Sequence, residues 1–113
     1  MKIYHNKRCR KSRETLEILN SKNVDFKIIE YLYNPPSLIE IKQLLKLLNI
    51  SAIDLIRKEE KLYKEKYKQK KFTEDQWIQI MHSNPILIQR PIVVKDNEAI
   101  IGRPPLNVLD LLK

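Results

Sequence analysis

The 113-residue sequence contains one cysteine, Cys9. A single thiol cannot form an intramolecular disulfide, so the sequence excludes a disulfide-stabilised scaffold and a two-cysteine redox centre within this chain. A lone cysteine is more often a small buried apolar residue than a nucleophile. The residues around Cys9 must therefore decide which of the two it is.

Long apolar runs are also absent from the sequence. No stretch approaches the roughly 18 continuous apolar residues of a membrane-spanning helix. The first eight residues, MKIYHNKR, lack the apolar core of a signal peptide, so we expect a cytoplasmic protein. Apolar residues make up 42% of the chain and charged residues 32%, which is typical of a single soluble domain covering residues 1–113.

The sequence has 14 acidic residues against 22 lysines and arginines, so its formal net charge is +8. Much of the excess lies in residues 58–71, where three glutamates interrupt the lysines, so a solvated helix face is the simplest interpretation. No zinc-ligand set, glycine-rich phosphate loop or aromatic RNA-binding motif accompanies these lysines. We therefore predict no metal site and no nucleic-acid partner. A plain nucleic-acid-binding module remains an alternative, which a steep salt dependence of binding would support.

The pattern of apolar residues predicts a β-α-β unit at the start of the chain. Strand formers occupy residues 2–5, a helical repeat begins at Ser12, and residues 24–31 alternate between apolar and polar. A short helix between two strands acts as a crossover connection, so the two strands are predicted to be parallel.

The middle of the chain is predicted to be helical. Capping-box signals, in which a serine or threonine precedes an acidic or amide residue by three positions, mark three helix starts. They occur at Ser37 with Glu40, Ser51 with Asp54, and Thr73 with Gln76. A further helix is predicted over residues 58–68. Residues 37–83 should accordingly form a helical insertion and not a separate domain.

The end of the chain returns to strands. Residues 92–94 predict a buried strand, Asp96 and Asn97 a turn, and residues 99–101 its hairpin partner, before a closing helix over residues 104–112. The order of elements is β-α-β, helices, β-β-α. We therefore predict an α/β fold of the thioredoxin-like layout, with the helical insertion between the second and third strands.

Six stretches carry a closer match to a known family. They are residues 3–16, 31–36, 55–58, 72–76, 84–94 and 101–105, of which 84–94 is the most specific. Together they resemble the glutaredoxin-coupled arsenate reductases over essentially the whole chain. The sequence departs from many members at Lys7, where they have proline, and at Arg10, where they have a small residue.

The resemblance implies a mechanism and its residues. In that family a cysteine attacks arsenate, three arginines surround the oxyanion, a histidine favours the thiolate and a serine lies near the sulfur. The matching residues are Cys9; Arg57, Arg90 and Arg103; His5; and Ser12. The family binds no cofactor, uses glutathione or another low-molecular-weight thiol as co-substrate, and takes glutaredoxin or a similar thiol protein as partner. The fold also implies a cis Arg90-Pro91 bond.

Elementary chemistry supports a reactive Cys9. An unperturbed cysteine titrates at about pH 8.5. A helix N-terminus carries about half a positive charge and should lower that pKa, as would His5 if it were protonated. Cationic residues adjoining Cys9 in the chain should act in the same direction. They are Arg8, Arg10, Lys11 and Arg13.

Ser12 occupies the position of the second sulfur in a Cys-x-x-Cys motif. A serine can cap the helix or donate a hydrogen bond to the thiolate, but it cannot resolve a covalent intermediate. Two alternatives from the same superfamily remain open. One is a regulator similar to the Spx group that binds RNA polymerase, although those proteins often carry Cys-x-x-Cys. The other is a reductase of the same fold with a different substrate.

Overall fold

The computed structural model describes residues 1–112. The strands are β1 (Lys2–His5), β2 (Lys27–Glu30), β3 (Ile92–Lys95) and β4 (Glu98–Ile101), and the α-helices are α1 (Arg10–Ser21), α2 (Leu38–Leu48), α3 (Ala52–Leu55), α4 (Lys61–Lys66) and α5 (Glu74–Ser83). Two 3₁₀ helices cover Pro85–Leu87 and Pro105–Leu112. No helix within residues 1–112 has both the length and the apolar character of a membrane span.

The described residues form two compact units. The sheet unit comprises Met1–Asn34 and the segment from Arg90 onward, and the helical unit comprises Pro35–Gln89. The helical unit is thus inserted in the chain between the second and third strands. That the whole chain acts as a single domain remains a prediction.

The sheet unit is built on one four-stranded mixed sheet in the order β2-β1-β3-β4. Strands β1 and β2 are parallel, whereas β3 is antiparallel to both β1 and β4. The predicted α/β layout of β-α-β, helices and β-β-α is confirmed. Strand β1 lies inside the sheet, paired on both edges, so the chain leaves it at a fixed position.

The core of the sheet unit fixes helix α1 beside β1. Its buried residues are Ile3, Leu19, Val93, Val108 and Leu111. Burying such a side chain contributes about 1.5–3 kcal/mol. Because both β1 and α1 are held by this core, the four-residue connection between them, residues 6–9, has little freedom at either end.

Two of the three predicted capping boxes are present. In α2, Ser37 Oγ accepts the Glu40 N–H at 3.1 Å, and in α5, Thr73 Oγ1 accepts the Gln76 N–H at 3.2 Å; the reciprocal bond is also formed in each.

The prediction of a capping box at Ser51 was wrong. Ser51 Oγ donates to the Asp54 carboxylate at 3.3 Å and does not cap α3. The first amide of that helix, Ala52 N–H, is instead bound by both carboxylate oxygens of Glu74, at 3.1 and 3.0 Å. A carboxylate from another helix satisfies this orphan amide better than the neighbouring hydroxyl, because it carries a full negative charge.

Several element boundaries differ from the predicted ones. Helix α1 begins at Arg10, earlier than Ser12, and α4 is limited to Lys61–Lys66. Strand β2 is shorter than residues 24–31, because Val24 and Phe26 pack against the core instead of pairing with β1. The closing helix is a 3₁₀ helix, with the Asn107 N–H donating to the Pro104 carbonyl, three residues before it, at 3.0 Å.

Candidate active site

Cys9 is the N-cap residue of α1, with extended backbone angles of φ −90° and ψ 121°. Its carbonyl accepts the Arg13 N–H at 3.0 Å, and its own N–H donates to the Asn6 carbonyl at 2.9 Å. A tight turn over residues 6–9 therefore delivers the thiol to the first turn of the helix, where backbone amides lack partners within the helix.

Asn6 organises this turn and was not anticipated from the sequence. Its side-chain Oδ1 accepts the Arg8 N–H at 3.0 Å, and its own N–H donates to Ser12 Oγ at 3.1 Å. Only 7% of the residue is exposed. Asparagine commonly binds the backbone two residues ahead in this way, so an asparagine three residues before the cysteine was the signal that could have revealed it.

Ser12 and His5 are joined beneath the turn. Ser12 Oγ lies 2.6 Å from His5 Nδ1, and both residues are buried. The pKa of His5 is lowered, first by burial and then by Arg13, against an opposing effect of Glu30. The lowered pKa favours the neutral imidazole, and in the tautomer whose Nδ1 carries no proton the Ser12 hydroxyl donates to Nδ1. The role of His5 in favouring the Cys9 thiolate remains a prediction, and the lowered pKa reduces the share of charged imidazole that could contribute to it.

The environment of Cys9 lowers its pKa. Burial is the largest single influence and raises the pKa, but hydrogen bonding from the Ser12 backbone amide, hydrogen bonding and charge from Arg90, and charge from Arg103 together outweigh it. Arg103 Nη1 lies 3.9 Å from the Cys9 sulfur. The thiolate is thus stabilised by an amide of the helix N-terminus and by two guanidinium groups.

The cations that adjoin Cys9 in the chain are not among these influences. Arg10 is the clearest case: its side chain is 86% exposed and pairs with Glu14 at 2.9 Å. Arg13 donates to the Lys7 carbonyl at 2.9 Å and thus braces the turn. The expectation that sequence neighbours supply the field is not met: the charges that lower the pKa of Cys9 belong to Arg90 and Arg103, which adjoin β3 and β4.

Arg90 and Arg103 are linked to each other. Arg90 is 7% exposed and precedes Pro91 through a cis peptide bond, as expected, and Arg103 Nη1 donates to the Arg90 carbonyl at 3.1 Å. Gly102, which precedes Arg103, packs against Thr15 of α1 and against Pro91. A Cβ there would lie 2.6 Å from Thr15 Oγ1 and 2.9 Å from Pro91 Cγ, so only glycine lets this segment approach α1 so closely.

Arg57, the third predicted arginine, belongs to the helical unit. The flanking residue Ile56 forms a β-bridge with Ile88, and the Arg57 N–H donates to the Leu87 carbonyl at 2.7 Å. Arg57 Nε lies 3.3 Å from Glu60 Oε2, and Arg57 Nη1 is buried without a hydrogen-bond partner among residues 1–112. A role for Arg57 in holding an oxyanion remains a prediction.

A substitution at Ser12 distinguishes the role of its hydroxyl from the role of its backbone amide. In a Ser12→Ala variant the backbone N–H, Arg90 and Arg103 all remain, so the pKa of Cys9 should stay lowered. Asn6 N–H and His5 Nδ1 lose a buried partner, which should cost about 1–3 kcal/mol of unfolding free energy. Thiol titration and urea unfolding of the variant measure the two effects. A pKa that returned to that of free cysteine would contradict this division of roles.

No group of three or more His, Cys, Asp or Glu side chains within residues 1–112 could hold a metal ion. The chemistry offered by the described site is that of a thiolate nucleophile beside guanidinium groups that bind anions.

The chain is similar to known proteins along almost all of its length. The ArsC family matches residues 4–111. The uncharacterized protein YfgD of Escherichia coli (strain K12) is 45% identical over 99% of this chain and 96% of its own length. An arsenate reductase of Acidiphilium multivorum is 43% identical over 97% of this chain and 79% of its own. The structure of an arsenate reductase from Vibrio cholerae superposes with a TM-score of 0.91 at 39% identity, covering 97% of each chain.

Proposed function

Since this chain belongs to the ArsC family, we propose that it is an arsenate reductase in which the Cys9 sulfur attacks arsenic. The observation that carries the proposal is a cysteine with a lowered pKa, placed at a helix N-terminus beside Arg90 and Arg103. A thiolate is the nucleophilic form of cysteine, and this environment favours it more than that of an unperturbed cysteine does.

The same groups suit an oxyanion as ligand. Guanidinium groups stay charged and donate paired hydrogen bonds to tetrahedral oxyanions, and a helix N-terminus offers further amide donors. Arg103 Nη1 and the α1 N-terminus both lie at the Cys9 sulfur. An arsenate held there presents its arsenic to the sulfur, and we assign Arg57 as a third oxyanion ligand.

The reaction proceeds in four chemical steps. First, the Cys9 thiolate attacks arsenic and an arsenate oxygen leaves as water after protonation, which forms a sulfur–arsenic(V) bond without redox change. Second, an external thiol displaces another oxygen from arsenic, which takes up the thiol's proton and a further proton and leaves as water. A further thiolate then attacks the sulfur of that external thiol, which makes a disulfide and leaves an electron pair on arsenic. Arsenic(III) is released from Cys9 as arsenite when water replaces the sulfur.

The two reducing thiols come from other molecules, because Cys9 is the only cysteine in the sequence. We assign glutathione or another low-molecular-weight thiol as the first, and glutaredoxin or a similar thiol protein as the second. No bound cofactor takes part. The cytoplasm, where thiols are kept reduced, is the compartment that fits this requirement.

Arsenite formation from arsenate by the wild-type protein tests the proposal. We expect turnover with glutathione and glutaredoxin together, and a loss of turnover when either thiol is omitted. Arsenite is measured by separating it from arsenate chromatographically with arsenic detection. If the complete mixture forms no arsenite while Cys9 still titrates with a lowered pKa, the reactive thiol stands and arsenate is the wrong substrate.

A further inference from the structure

A cavity of about 240 Å³ opens where the carboxyl ends of the parallel strands β1 and β2 meet. Its walls are the turn that follows β1 and the segment that follows β2. In open sheets of α/β proteins, ligands preferentially occupy the crevice beyond the carboxyl ends of parallel strands. None of the three arginines assigned to the oxyanion lines this cavity.

The lining combines both signs of charge with an aromatic ring. Lys7 and Arg8 supply two exposed cations, and Glu30 supplies a carboxylate. Tyr33 is 67% exposed, and the Lys7 ammonium lies 5.8 Å from its ring centroid. An exposed aromatic ring held beside a cation gives a flat surface on which a peptide group can pack.

We infer that this cavity binds the low-molecular-weight thiol co-substrate, as a small zwitterionic peptide of the glutathione type. This inference rests on the proposed function. Glutathione carries two carboxylates and one ammonium group, which complement the two cations Lys7 and Arg8 and the single anion Glu30. Tyr33 packs against its peptide backbone.

The cavity lies next to the nucleophile along the chain. Arg8 directly precedes Cys9, and the Asn6 carbonyl that accepts the Cys9 N–H belongs to a residue lining the cavity. The guanidinium groups of Arg90 and Arg103 come from the β3–β4 side of the sheet, whereas the cavity lies on the β2 side. On the proposed assignment, oxyanion and thiol approach Cys9 from different sides, and the thiol of the bound peptide attacks an arsenic held on the sulfur.

The test uses S-methylglutathione, which keeps the charges of glutathione but cannot react. It is titrated into the full-length wild type and its Kd is measured by calorimetry, with amide chemical shifts reporting the location. Lys7→Glu should weaken binding by about fivefold or more, since it replaces an attraction with a repulsion. Lys22→Glu is the matched control, because Lys22 is also exposed but lies at the far end of α1. It should leave Kd unchanged.

Tyr33→Ala provides a second variant that leaves the charge unchanged. It should also weaken binding, and the wild-type shifts should concentrate at residues 5–8 and 30–33. Equal Kd values for Lys7→Glu, Tyr33→Ala and the control, or shifts confined to other parts of the chain, would overturn the inference.

The same data separate this inference from the proposed function. If the wild type forms arsenite but Lys7→Glu binds S-methylglutathione as well as the control does, the cavity assignment fails and the function stands. If no arsenite forms but binding depends on Lys7, the cavity is a thiol-peptide site and arsenate reduction fails.

Discussion

A Cys9→Ser variant is expected to lose arsenate reduction by about a thousandfold or more. A serine hydroxyl ionises far above neutral pH, so neither the helix N-terminus nor the two arginines can turn it into a comparable nucleophile. No second cysteine exists in the sequence to take over. The loss should appear in the rate of arsenite formation at saturating arsenate and thiol.

The stability of the Cys9→Ser variant shows whether a loss of activity comes from the missing thiol or from a loss of folded protein. Cys9 is the N-cap of α1 and makes no side-chain capping bond, whereas serine is among the preferred N-cap residues. The unfolding free energy in urea should therefore stay within about 1 kcal/mol of wild type, or rise. Substantial arsenite formation by a folded Cys9→Ser protein would exclude Cys9 as the nucleophile.

Removing the Arg90 guanidinium should lower kcat/KM for arsenate by about a hundredfold. Arg90→Ala deletes both a hydrogen bond and a charge at the Cys9 sulfur, so the pKa of Cys9 should rise. The substitution also removes a proposed ligand of the oxyanion. Arg90→Lys keeps the charge but loses the planar fork, so it should fall between wild type and Arg90→Ala. Steady-state kinetics and thiol titration measure the two effects.

Arg10→Ala is the matched control for Arg90. Arg10 is adjacent to Cys9 in the sequence, but its side chain is exposed and pairs with Glu14. Its removal should leave both the kinetics and the pKa of Cys9 close to wild type. A larger effect from Arg10→Ala than from Arg90→Lys would show that the field at the sulfur comes from sequence neighbours, against the geometry described here.

The parts of the fold that were predicted correctly depend on local patterns. The strand formers of β1 and the capping boxes of α2 and α5 involve residues within a few positions of one another, so the sequence contains the whole interaction. The cap of α3 failed because Glu74 lies 22 residues from the Ala52 amide that it binds. The predicted length of β2 was wrong for a similar reason, since Val24 and Phe26 pack against the core of the sheet unit.

For the candidate site, too, some features could be predicted from the sequence and others depend on how the chain folds. The resemblance pointed to Cys9, Arg90 and Arg103, and the structure brings these three together in the sheet unit. The resemblance could not indicate which atoms of Ser12 contact the Cys9 sulfur, because those contacts depend on how the β1–α1 turn folds back over the helix. The backbone amide of Ser12 serves the sulfur, and its hydroxyl serves His5 and Asn6.

The central claim is that arsenate binds directly at a Cys9 thiolate. The most direct test is the rate of Cys9 alkylation by iodoacetamide across pH, with and without arsenate and with no reducing thiol present. We expect the rate to follow a thiol that ionises below free cysteine, and we expect arsenate to slow it. Alkylation that titrates like free cysteine and is unaffected by saturating arsenate would contradict the account.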